Sequence, residues 1–168
     1  ITQLFMHLKY LAHYATSLQN QIKKLIEEQQ LDAYIQSKYP AQHNVKTDKA
    51  LYQFATELKK THLKTAPNLD KVLYDNRLDI THRALGLNTA ISRVQGDKLV
   101  AAKEIRVASL FKNAPADFLK MIVVHELAHL KERNHDKAFY KLCTHMLPEY
   151  HQVEFDVRVY LTGLDFPA

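Results

Sequence analysis

Apolar residues near the start of the chain recur at three- and four-residue steps: Leu4, Phe5, Leu8, Leu11, Ala12, Ala15, Leu18, Ile22, Leu25 and Ile26. That spacing holds one stripe of side chains on one side of an α-helix and predicts a single long amphipathic helix over roughly residues 2–36. Tyr39-Pro40 closes it, because a residue before proline is pushed away from helical backbone angles. Thr47 or Asp48 can cap a second helix bearing Leu51, Phe54, Ala55, Leu58 and Leu63, which Pro67 ends.

The texture then changes. Lys71–Tyr74, Arg83–Val94, Lys98–Val100 and Glu104–Phe111 are short and rich in β-branched residues, with turn signals at Asp75-Asn76 and Gln95-Gly96-Asp97. Ile105, Val107 and Ser109 alternate with Arg106 and Ala108, the period of a half-buried strand. Together these segments predict a small, mostly antiparallel sheet. Asn113-Ala114-Pro115 opens a helix that runs to about Arg133, where Asn134 suits a left-handed stop. Its apolar run Met121–Val124 must be buried. Asp136 caps a helix bearing Ala138, Phe139, Leu142, Cys143 and Met146, and Pro148 ends it. A last helix covers roughly 150–162 and stops at Gly163. No linker or repeat interrupts the chain. The expectation is one α+β domain: a helical part over 1–66, a sheet over 67–112, and helices over 113–168.

Composition narrows the function classes. At 168 residues with 46% hydrophobic and 24% charged positions, the chain resembles an ordinary globular domain able to bury its own core. The single Cys143 excludes an internal disulfide and fits a reducing compartment, so a cytoplasmic location is expected. No apolar run approaches the ~18 residues of a membrane span. His7, Lys9 and His13 interrupt the apolar N-terminal stretch and no small-residue cleavage site follows, so it does not read as a signal peptide. The net charge of +5 is uneven: +4 over 1–66, +3 over 67–124 and −2 over 125–168. A basic excess suits nucleic acid or another acidic partner. The lysine pairs Lys23-Lys24 and Lys59-Lys60 are scattered, however, and a solvated lysine face is the plainer reading. Ten histidines prompt a search for metal-ligand spacing.

That search finds His125-Glu126-Leu127-Ala128-His129 within the predicted fifth segment. On a helix, residues four apart stand about 40° apart around the axis and about 6 Å apart along it. Both imidazoles can then hold one tetrahedral zinc, while Glu126 reaches a water on the metal and takes its proton as that water attacks a carbonyl. A third ligand is needed. Glu132 lies too far up the same helix face, at about 10 Å from His125. Glu149 stands at a spacing similar to that of thermolysin-like enzymes, and Glu154 is a looser version of the same idea. His135 is favoured, since it follows the predicted helix stop and can fold back towards the pair. Cys143 reads as a packed thiol, His145 and His151 as ordinary histidines rather than oxyanion contacts, Tyr140, Tyr150 and Tyr160 as packing, and Asp136 as a cap.

Val123-Val-His-Glu-Leu-Ala-His-Leu-Lys131, followed by Asn134-His-Asp-Lys-Ala-Phe-Tyr140 and Pro148-Glu149-Tyr150, resembles the YgjP-like metallopeptidase family. SprT-like and WLM zincins share the same arrangement of HExxH with a third histidine after five intervening residues. The resemblance is strongest over about residues 105–150. It implies a zincin-like fold, one zinc held by His125, His129 and His135, Glu126 as general base, and a peptide or protein substrate. Two departures stand out. Tyr140 replaces a tryptophan, and Leu85–Arg93 lacks the Trp and Cys that many members carry before the active helix. Two alternatives remain: a SprT- or WLM-like protease acting on proteins bound to nucleic acid, and a non-catalytic zinc domain. The second needs four protein ligands, and only three are convincing, which favours an open catalytic site.

Overall fold

The computed structural model describes residues 6–77, 91–95 and 98–167, with the backbone alone over 91–95 and 98–102. In place of one long N-terminal helix, the chain makes a 3-10 turn over Lys9–Leu11, then α1 (Thr16–Glu27) and α2 (Leu31–Lys38). The Gln29 N–H donates to the Ile26 carbonyl at 3.1 Å and the Gln30 N–H to the Leu25 carbonyl at 2.8 Å. With Gln29 at φ 55°, this is a Schellman stop. Glycine usually occupies that position, so a glutamine gave no warning, and the apolar spacing continues across the break. Leu4 and Phe5 lie outside the described residues.

Helix α3 (Asp48–His62) begins as expected, with the Thr47 hydroxyl accepting from the Ala50 N–H at 3.1 Å. Asp48 serves elsewhere: its carboxylate accepts from the Tyr74 N–H at 2.9 Å, which ties α3 to the first strand.

The strands are β1 (Lys71–Asp75), β2 (Ile91–Gln95), β3 (Lys98–Ala102) and β4 (Glu104–Ala108). The α+β class holds, but the sheet differs from the mostly antiparallel one expected. β2 and β3 pair antiparallel, whereas β1 and β4 form a parallel pair with Val72 opposite Ile105 and Tyr74 opposite Val107. A parallel pair joins strands far apart in sequence, so no local turn signal betrays it. Most of the Arg83–Val94 segment, the start of the Leu85–Arg93 stretch and the turn at Gly96-Asp97 lie outside the described residues.

Along β4, Ile105 and Val107 are buried and Arg106 is half-buried, as expected. Ala108 is buried as well, and Ser109 lies beyond the strand in a 3-10 turn over Ser109–Asn113, so the alternation does not continue past Val107. Arg106 pairs with Glu104 at 2.8 Å and with Asp75 at 2.7 Å, bridging the two parallel strands. The Arg77 N–H and then the Arg106 guanidinium hold the Asp75 carboxyl down to about 2. A depressed carboxyl stabilises the fold above its unfolded value, about 3.9, and that stability is lost as pH falls through the folded value. Asp75→Asn should therefore be less stable than the parent at neutral pH. In acid unfolding curves the gap should narrow between about pH 4 and pH 2; a gap that does not change with pH would remove Asp75 from this role.

Helix α4 (Ala116–Ala128) follows Pro115 and runs through the core, with Phe118, Leu119 and every residue from Met121 to Ala128 buried. A helix apolar all round has no outer face to present, which is why the Met121–Val124 run reads correctly as interior. It stops sooner than Arg133, in a turn where the Leu130 N–H donates to the Leu127 carbonyl and the Lys131 N–H to that of Ala128. Asn134 does not adopt the left-handed conformation expected of it; among the described non-glycine residues only Gln29 does.

Helices α5 (Lys137–Met146) and α6 (Tyr150–Asp165) pack on α4. Gly163 lies inside α6 rather than ending it. A Cβ there would stand 2.7 Å from the Leu31 Cδ2, so glycine permits the close approach of α2. The same two helices meet at Asp156, a fully buried carboxylate that accepts from Tyr34 at 2.8 Å, from Tyr39, and from Gln152 at 3.0 Å. Lys38 completes the set at 3.0 Å, so the buried charge is paired and hydrogen-bonded. No described helix is long and apolar enough to cross a membrane.

Candidate metal centre

Three elements of backbone deliver the candidate ligands. His125 sits in the last turn of α4, His129 occupies its C-cap, and His135 lies in the loop just before α5. Their ligand atoms all fall within 4.8 Å of one another, an arrangement that could hold a metal ion. The early end of α4 makes this possible. Had the helix run on to Arg133, the third imidazole would have been carried about 9 Å further along the axis. Instead the chain turns back, and Asp136 starts α5 by accepting from the Phe139 N–H at 3.0 Å, which confirms the cap reading.

The hydrogen bonds on the far sides of the rings decide which nitrogens face the centre. The His129 Nδ1 lies 3.0 Å from the Glu132 backbone carbonyl, which can only accept, so Nδ1 carries the proton and Nε2 keeps a lone pair. The His125 Nδ1 lies 2.8 Å from the Tyr150 hydroxyl, which also faces the Glu154 carboxylate. In the tautomer that suits metal binding, the His125 Nδ1–H donates to the tyrosine oxygen. The His125 Nε2 is then a lone pair, fully buried and without a hydrogen-bond partner among the described residues. Such an orphan acceptor is rare in a native core, and its chemistry fits a metal ligand. The two Nε2 atoms of His129 and His135 lie 3.0 Å apart. Two nitrogens on one tetrahedral zinc stand about 3.3 Å apart, so this pair is set at nearly the separation one ion requires.

Burial and neighbouring charge keep the rings neutral. Desolvation, followed by its two histidine neighbours and Arg158, pushes His125 well below the usual imidazole value. Burial also lowers His129 and His135. Neutral imidazole is the form that binds metal. His125 and His129 are buried whereas His135 is exposed, so the centre opens to solvent on the His135 side. Glu126, next to His125, is buried.

Two residues matter more here than local patterning suggested. Phe139 is fully buried among all three rings, with centroids 5.1 Å from His125, 4.6 Å from His129 and 4.9 Å from His135. Tyr150, expected only to pack, orients His125. The signals were present as Phe139 after the third histidine and as Pro148-Glu149-Tyr150, but a contact across the gap from 125 to 150 is not visible in spacing. Outer hydrogen-bond partners of this kind typically contribute about 10–100-fold to metal affinity. Tyr150→Phe should weaken zinc binding by about that factor in a competitive chelator titration; unchanged affinity would make the hydroxyl a bystander.

The other candidates lie outside the cluster. Glu149 is exposed at the start of α6, and Glu132 contributes only its carbonyl. Glu154 pairs with Arg158 at 3.3 Å. His145 meets His62, and His151 packs on Tyr140. Burial pushes the Cys143 thiol up to about 12, which leaves it protonated and inert, as its packed position predicts.

Residues 7–157 match the YgjP-like family, described as a metallopeptidase domain. A relative from Escherichia coli (strain K12), UTP pyrophosphatase, is 55% identical over 158 residues, covering 94% of this chain and 95% of that protein. No solved structure matches the chain. A match spanning nearly all of the sequence, on a fold that gathers the motif's three histidines at one point, places this chain in the YgjP-like family.

Proposed function

We propose that the chain is a zinc-dependent hydrolase that cleaves a phosphoanhydride bond of a nucleoside triphosphate. The observation that carries the substrate class is the near full-length identity of 55% to a UTP pyrophosphatase. The chemistry rests on the site. His125, His129 and His135 are three neutral nitrogen donors, few enough to leave a coordination position open, and the orphaned His125 Nε2 fits an ion there. When bound, zinc supplies positive charge against phosphate oxygens and Lewis acidity towards water. Glu126 accepts the proton of the attacking water. The water oxygen joins phosphorus, the anhydride bond breaks, and pyrophosphate leaves with the electron pair. Tyr150 and the Glu132 carbonyl hold two ligand rings so that their lone pairs face inward. Phe139 fills the floor between the rings and keeps bulk water off that side.

A second reading, peptide-bond hydrolysis, is favoured by the family's description as a metallopeptidase domain and by the HExxH spacing. The same Glu126 would then pass its proton to the leaving amine. The two readings separate in one experiment. The zinc-loaded protein is incubated with UTP and, in parallel, with a mixed peptide library. Equimolar UMP and pyrophosphate with an intact library supports the first reading. Cleaved peptides with untouched UTP supports the second.

A further inference from the structure

A second feature lies on α3, with none of the three histidines among its lining residues. Tyr52, Thr56, Lys59 and Lys60 fall at helical steps of four, three and one, which puts them on one side of α3. With Lys64, Asn68 and Leu69 from the following loop they line a cleft of about 540 Å³. No carboxylate is among its lining residues, although three ammonium groups are. Lys59 is only 8% exposed, its stem buried while its ammonium keeps some access to the cleft, and that ammonium has no hydrogen-bond or ion-pair partner among the described residues. Lysine is almost never this buried without a counter-charge. The Thr56 hydroxyl is buried at the same cleft and likewise has no partner.

Packing of the aliphatic stem explains why Lys59 can be buried. It does not explain an orphaned hydroxyl at the same cleft, nor three like charges lining it with no carboxylate among the lining residues. A multivalent oxyanion answers all three features, since its oxygens accept from the hydroxyl and from each ammonium while its charge replaces the missing carboxylates. The cleft has the volume of a small-molecule site, and its lysines line a concave surface, which suits a small molecule better than a double helix. We infer that the cleft on α3 binds the phosphate groups of a small phosphorylated molecule, with Lys59, Lys60 and Lys64 supplying charge and Thr56 a hydroxyl donor. None of these residues belongs to the metal centre, so the site stands or falls separately from the hydrolase reading.

The test is calorimetric titration of the full chain with inorganic pyrophosphate at about 150 mM salt. His129→Ala serves as the background because it removes anion binding through the metal. A site should persist in that variant. Adding Lys59→Met, which keeps the stem and deletes the charge, should weaken it about tenfold or more. Lys64→Gln, at an exposed position where folding is not at stake, should weaken it measurably as well. Absence of binding in the His129→Ala background would overturn the inference. So would affinity indifferent to both lysine substitutions, or a DNA duplex that binds more tightly than pyrophosphate and is weakened by the same changes.

Discussion

Glu126→Gln is expected to keep its zinc content and its fold while turnover falls by about 10²–10⁴-fold, the usual contribution of a positioned general base. Gln has nearly the size of Glu and makes similar contacts, so the buried position beside His125 is preserved. What it lacks is a basic oxygen to take the proton of the attacking water. The loss should be the same in kind on UTP or on a peptide, because both reactions begin by deprotonating water. The measurement is initial rate at saturating substrate, with zinc content determined on the same sample. Full activity at normal zinc content would show that another group is the base.

The second large effect concerns the ion. The parent should purify with, or take up, about one zinc per chain, and His129→Ala should retain almost none. Two histidines remain in that variant, one buried and one exposed, too few for tight tetrahedral binding in water. His135→Ala should behave in the same way. Glu149→Ala should keep its zinc, because its side chain is exposed at the start of α6 and outside the cluster. Elemental analysis after dialysis against a weak chelator decides the matter. Zinc retained by His129→Ala, or lost from Glu149→Ala, would move the centre elsewhere.

Some of this was legible in the chain because it depends on neighbours in sequence. The Thr47 and Asp136 caps need only a side-chain oxygen and an N–H three residues on, and both formed as expected. The buried run of α4 follows from its apolar content, and the pairing of His125 with His129 follows from helical pitch alone. Where local signals misled, the deciding partner was distant. Gly163 looked like a helix stop, yet its use is to admit Leu31. The region 2–36 looked like one helix because a stripe of apolar residues does not record the left-handed turn at Gln29.

The sequence by itself therefore determined the first two members of the cluster, since a helical period of 3.6 residues puts His125 and His129 on one side whatever surrounds them. It also determined the class of fold, through the switch from helical to strand periodicity near residue 70. Only the tertiary structure decided that His135, and not Glu149 or Glu154, gathers with the pair, because that depends on where the chain turns after Ala128. It alone paired β1 with β4 in parallel, set Phe139 among the rings, and brought Tyr150 to the Nδ1 of His125. The physical reason is the same in each case. Periodicity and capping are short-range and written into consecutive residues, whereas ligand convergence and hydrogen-bond partnership depend on close packing between segments far apart in the chain.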